Sequence, residues 1–158
     1  MKIEKSQTLI FHSQLSILNF KKFSIFHSQF SIFKKGVDFY LKDNIVKTKS
    51  FDFAVRIVNL YKHLTADKKE FVLSKQLLRS GTSIGANVTE SENAQSKADF
   101  ISKMNIALKE ASETQYWLLL LHSTDYLSDK EFASINEDAT ELVAILTSIC
   151  KTTKSTYS

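Results

Sequence analysis

From Phe51 to Ile149 the apolar residues return at alternating steps of three and four, and nothing else in this chain restricts its fold as strongly. Ala54, Ile57, Tyr61 and Leu64 keep that spacing, and Leu77, Gly81, Ile84 and Val88 keep it again. A third stretch carries Phe100, Met104, Ala107, Ala111, Thr114, Leu118 and Leu121, and a fourth carries Phe132, Ile135, Ala139, Leu142, Leu146 and Ile149. Such spacing gathers each set on one side of a helix, so the chain is predicted to form amphipathic helices over about 51–64, 67–90, 96–121 and 128–150. There is no proline and only three glycines, Gly36, Gly81 and Gly85. A β-sandwich or a dinucleotide-binding sheet needs many more turn residues, so both are excluded.

Local signals mark three of the starts. Asp67 can cap with Glu70 reaching back, Ser96 is followed by Asp99, and Ser128-Asp-Lys-Glu131 is a capping box with Leu127 placed to staple onto Phe132. The links between helices are short, and short links force neighbours antiparallel. The expected fold is therefore all-α, an up-down-up-down antiparallel four-helix bundle over residues 47–153. Residues 1–46 form a non-bundle N-terminal extension and 154–158 a tail. The run Arg79-Ser-Gly-Thr-Ser-Ile-Gly-Ala-Asn87 could be a loop with Asn87 capping a new helix. The apolar phase is unbroken through it, however, so one continuous second helix is expected. Two internal glycines cost it roughly 2 kcal/mol, which close packing against another helix must offset.

Charge divides the chain in the same place. Its formal net charge is +4, from 21 basic and 17 acidic residues. Residues 1–36 hold Lys2, Lys5, Lys21, Lys22, Lys34 and Lys35 against Glu4 alone. The rest carries 15 basic and 16 acidic groups, so the basic excess belongs to the extension. That extension repeats itself: Phe11-His-Ser-Gln-Leu-Ser-Ile-Leu18 returns as Phe26-His-Ser-Gln-Phe-Ser-Ile-Phe33. Polar residues interrupt its apolar run, so it makes a poor signal peptide. Phe23, Phe26, Phe30 and Phe33 would suit a helix on a membrane surface. The plainer interpretation is an unstructured extension, a translated short repeat ahead of a later start. No run approaches the 18 apolar residues of a membrane span, and a lone Cys150 allows no internal disulfide, so a cytoplasmic protein is expected.

Catalytic patterns are missing. Gly81-Thr-Ser-Ile-Gly85 lacks the spacing and the Lys-Ser/Thr of a phosphate loop. His12, His27, His63 and His122 are scattered, with no second histidine at metal-ligand spacing. No serine stands in a nucleophile elbow. No enzyme activity, metal or cofactor is expected. Glu110 and Glu113 share a helix face as an acid–base pair might, but pairing with Arg79 or a neighbouring subunit explains them more simply.

The runs Phe71-Val-Leu-Ser-Lys-Gln-Leu-Leu-Arg-Ser-Gly-Thr-Ser-Ile-Gly-Ala-Asn-Val-Thr-Glu90, Ala94-Gln-Ser-Lys-Ala-Asp-Phe100 and Ala107-Leu-Lys-Glu-Ala-Ser-Glu-Thr-Gln-Tyr-Trp117 carry a resemblance. They resemble the bacterial four-helix-bundle proteins that include those encoded within intervening sequences of large-subunit ribosomal RNA genes. The resemblance spans about residues 47–153 and centres on Gln76, Leu77, Arg79, Ser80, Ser83, Ile84 and Asn87, with Glu110 and Glu113 on the third helix. It implies a homo-oligomer, commonly a ring of five, without catalytic activity and associated with ribosomal or other RNA. A related branch serves as accessory proteins to reverse transcriptases, so a scaffold for a protein partner is the alternative. Gln76, Arg79, Ser80, Gly81, Ser83, Gly85, Asn87, Glu110 and Glu113 are expected to serve the core and assembly. Lys68, Lys75 and Arg79 on the second helix and Lys97, Lys103 and Lys109 on the third are candidate RNA contacts, which a ring would repeat into a basic band. Charged residues mostly sit exposed, so a plain solvated face is the alternative for these lysines.

Overall fold

The computed structural model describes residues 45–155; of the extension assigned to 1–46, residues 45 and 46 belong to the first helix and the rest lies outside the described residues. Helix α1 spans 45–66, α2 Leu73–Ser91, α3 Lys97–Ser123 and α4 Asp129–Ser155. Among the described residues there is no strand.

Cross-helix pairs give the topology. On α1 and α4, Lys49 pairs with Glu141, Arg56 with Asp138, and His63 lies 3.8 Å from Glu131. The α4 numbers fall as the α1 numbers rise, so the two run antiparallel. The same descending order joins α1 to α2, where Lys47 meets Glu92 and Ile57 meets Gly81. It joins α2 to α3 through Arg79–Glu113 and Glu90–Lys103, and α3 to α4 through Gln115–Thr140 and His122–Asp129. Each helix touches its two neighbours around the bundle, which is the expected up-down-up-down arrangement. The core they enclose contains Phe53, Ile57, Leu64, Leu77, Ile84, Met104, Leu118, Leu121, Leu142, Leu146 and Ile149, all fully buried.

Two helix starts differ from expectation, and both differences are tertiary in origin. Helix α1 begins before Phe51, because Val46 is fully buried and Lys47 and Lys49 are tied to Glu92 and Glu141. Its buried stripe then uses Phe53, while Ala54 and Tyr61 sit at the margin. Helix α2 begins at Leu73, not after Asp67. Asp67 caps nothing; its Oδ2 lies 2.7 Å from His63 Nδ1. The chain turns through Lys69, whose φ of 57° is left-handed. Glu70 then folds inward, and its carboxylate accepts the N–H groups of Val72 at 2.9 Å, Leu73 at 2.8 Å and Ser74 at 2.5 Å. One carboxylate thereby satisfies donors that a helix start leaves orphaned. Burial pushes the Glu70 carboxyl up, but these backbone donors outweigh it and hold the group below its ordinary range.

The other two starts that carry local signals, those of α3 and α4, form as anticipated. Ser96 Oγ accepts the Asp99 N–H at 3.1 Å. At α4, Glu131 accepts the Ser128 N–H at 2.9 Å while Ser128 Oγ accepts the Glu131 N–H at 3.4 Å. The phenyl ring of Phe132 stacks on His122 with centroids 4.4 Å apart, joining the end of α3 to the beginning of α4.

Helix α2 continues through both glycines. A Cβ placed on Gly81 would lie 2.8 Å from Ile57 Cγ1 and 2.9 Å from Cγ2, closer than real contacts allow. At Gly85 the nearest atom is the Ser50 carbonyl oxygen at 3.4 Å, an ordinary contact. The two positions therefore respond in opposite directions. Gly85→Ala should raise stability by up to about 1 kcal/mol through helix propensity alone. Gly81→Leu should cost about 3 kcal/mol by overpacking, measured as a fall in Tm or denaturation midpoint. Glu70→Gln should cost about 2 kcal/mol near neutral pH. Because the folded carboxyl is held below its usual value, that difference is present above the ordinary 4.5 and fades as pH falls through the folded value. Thermal melts of both proteins between pH 3 and 7 check this.

Candidate functional site

The candidate residues concentrate on α2, whose three sides do different things. Toward α1 it offers Gly81 and Gly85. Toward α3 it offers a polar seam. Ser80 and Thr114, both fully buried, are hydrogen-bonded through their hydroxyls at 3.1 Å. One residue earlier on each helix and nearer the surface, Arg79 Nη2 donates to Glu113 Oε1 at 3.0 Å, and Trp117 Nε1 donates to the same oxygen at 3.1 Å. Farther along, Lys103 Nζ meets Glu90 Oε2 at 2.5 Å. Asn87 caps no helix; its Nδ2 donates to the Ser83 carbonyl at 2.9 Å inside α2. Gln76 and Ser83 are half-buried beside this seam.

Glu110 is the exception within the seam. Its Oε2 is buried without a hydrogen-bond partner among the described residues. Burial raises its carboxyl above the ordinary value and Glu113 adds to the rise, while Arg79 opposes it. The pair Glu110 and Glu113 thus sits in unequal settings. Among the described residues no group of His, Cys, Asp and Glu could hold a metal.

The six lysine and arginine candidates do not make two rows. Residues six apart on a helix turn away from each other by about 120°, so Lys97, Lys103 and Lys109 point to three sides of α3. Lys103 is also committed to Glu90. Lys68 lies in the turn before α2. Lys75 and Arg79 do share one outward side, one turn apart, and both are exposed. Just before the helix, Lys69, Phe71 and Val72 are exposed as well, Phe71 59% and Val72 71%. Sequence periodicity had no means of finding them, because exposure of an apolar residue depends on what the rest of the fold covers.

Two further apolar surfaces remain uncovered. A groove of about 600 Å³ between α1 and α2 is lined by Phe51, Ala54, Thr82, Gly85, Ala86 and Thr89. On α3, Ile106, Tyr116 and Leu119 face solvent. Helices α1 and α3 each contact α2 and α4, so they are diagonal and these surfaces look in different directions.

Comparison with known proteins agrees with this architecture. The family described as 23S rRNA-intervening sequence protein matches residues 42–148. A crystal structure of a protein of unknown function from the S23 ribosomal protein family of Bacteroides thetaiotaomicron is 64% identical, with a TM-score of 0.69. That similarity covers 70% of this chain and 98% of the other. No curated protein matches significantly.

The unmatched carboxyl makes a stability prediction. A raised folded value favours the protonated form, so ionisation above the ordinary 4.5 weakens the fold. Glu110→Gln should therefore melt higher than the parent at pH 7 and equal to it below about pH 4. A lower Tm for the variant at pH 7 would show that the charge itself is needed.

Proposed function

Because the chain belongs to the 23S rRNA-intervening sequence protein family, we propose that it is a non-enzymatic bundle that assembles with its own copies and associates with ribosomal or other structured RNA. The observation that carries assembly is the pair of uncovered apolar surfaces, the groove between α1 and α2 and the outward residues of α3. In the run Tyr116-Trp-Leu-Leu-Leu-Leu121 apolar side chains lie all around α3, yet only Leu118 and Leu121 are buried in the subunit core. A helix apolar on every side is normally covered on every side. Two different surfaces on different sides meet heterologously, which closes into a ring when the rotation permits. Such a ring, five-membered in our reading, would leave the outward side of α2 uncovered and repeat Lys75 and Arg79 around its axis.

Association with RNA draws its support from the family description and from that repeated cationic side. No helix among the described residues is long and apolar enough to cross a membrane, and we place the protein in the cytoplasm. The groove beside Gly85 favours a second reading, in which it seats a protein partner such as a reverse transcriptase in place of another copy, and the bundle is a scaffold. Light scattering and filter binding to 23S ribosomal RNA across a salt series test both parts. Multimers and binding that weakens steeply with salt are expected. A monomer at micromolar concentration overturns assembly, and no binding at low salt overturns the RNA association. Pull-down before and after nuclease treatment separates the scaffold, since a direct protein partner survives loss of RNA.

A further inference from the structure

We infer that the N-terminal end of α2 is a contact site for single-stranded nucleic acid, with Phe71 stacking on a base and Lys68, Lys69, Lys75 and Arg79 meeting phosphates. This rests on the RNA association proposed above and gives it a place on the molecule. An aromatic ring left 59% exposed forgoes the gain that burial would bring. Nor is the ring exposed because its backbone is slack. Glu70 accepts the N–H groups of Val72, Leu73 and Ser74, its own N–H donates to the Leu64 carbonyl at 3.0 Å, and Ser74 Oγ donates to the Glu70 carbonyl at 2.8 Å. Phe71 and Val72 are therefore held outward by a clamped turn, which lowers the ordering cost of binding.

Exposed cations flank the ring along the chain. Lys68 and Lys69 precede it in the turn, Lys75 follows one helical turn later and Arg79 one turn beyond, all four exposed. Arg79 spends one donor on Glu113 while its side chain stays 65% exposed. A guanidinium has five donors, so others remain for a phosphate. The nearby acids are largely engaged: Asp67 with His63, Glu70 with the backbone, and Glu131, which faces Lys68, with Ser128. An aromatic face amid lysine and arginine matches a polyanion with unstacked bases. A protein partner fits less well, because lysine is depleted where protein surfaces bury one another. A duplex fits less well too, because its bases are already stacked.

The test is fluorescence anisotropy of the full chain with a labelled single-stranded twelve-nucleotide uridine RNA, beside an RNA duplex of equal length. Single strand should bind more tightly than duplex. Phe71→Ala should weaken binding about tenfold or more, and Phe71→Leu should do the same because it keeps apolarity but loses the π face. Phe71→Trp should retain affinity and show indole fluorescence quenched by RNA beyond any quenching of Trp117. Lys75→Ala should weaken binding and reduce the salt slope by about 0.7. If the parent binds and both Phe71→Ala and Phe71→Leu bind equally well, this site is overturned and RNA association stands. If Phe71→Leu alone binds as the parent does, the contact is apolar and the stacking assignment falls. If the parent binds neither oligonucleotide at low salt yet is retained with 23S ribosomal RNA on filters, this inference falls and RNA association stands; if it binds none of the three, both fall.

Discussion

The bundle depends on α1 and α2 approaching each other where Gly81 has no side chain. Ile57 fills that space, with Cγ1 only 2.8 Å from where a Cβ would stand. The contact lets Ile57, Leu77 and Ile84 become fully buried together. Two glycines inside α2 weaken the helix by roughly 2 kcal/mol, so the close approach must return at least that in buried surface. A fully buried Ile or Leu contributes about 1.5–3 kcal/mol, and several such side chains line this seam. Packing at Gly81 also sets the rotation of α2, which turns Ser80 toward Thr114 and Arg79 toward Glu113. The seam with α3 follows from the seam with α1.

What the sequence made legible follows from how local each cause is. The starts of α3 and α4 were readable because Ser96, Asp99, Ser128 and Glu131 act within one turn of themselves. The continuity of α2 through Gly81 and Gly85 was readable because apolar phase survives a weak propensity. The start of α2 was not, since Glu70 looked like the far half of a box begun by Asp67 and instead became the whole cap. Nothing in the run Asp67-Lys-Lys-Glu70 announces that Lys69 will turn left-handed. The start of α1 was hidden for another reason, as its first turn is held by Glu92 and Glu141 from elsewhere in the chain.

The candidate site was legible in chemistry and much less in place. Arg79 and Glu113 were recognisable as partners because a guanidinium beside a neighbouring helix commonly meets a carboxylate. Lys97, Lys103 and Lys109 look like a series in one dimension and scatter in three. Phe51, Phe53 and Phe71 are alike as letters, yet Phe53 is 1% exposed while Phe51 and Phe71 are 67% and 59% exposed. Composition could not separate them, because only the neighbouring helices decide which ring is covered.

Net charge is therefore the wrong measure for this bundle. Beyond the extension the chain is near neutral, but its charges are not spread evenly over its surface. Lys47, Lys49, Arg56 and Lys103 are bound to Glu92, Glu141, Asp138 and Glu90 across helix pairs. Exposed pairs of this kind stabilise by at most about 1 kcal/mol each, so their main effect is to fix register between neighbours. They also cancel much of the field where they stand. Glu70 has its charge turned into the backbone, leaving Lys69 and Lys75 beside a carboxylate that faces the other way. A subunit with almost no net charge can thus present a positive corner. Repetition of that corner around an assembly would build a potential that no single chain's charge count reveals.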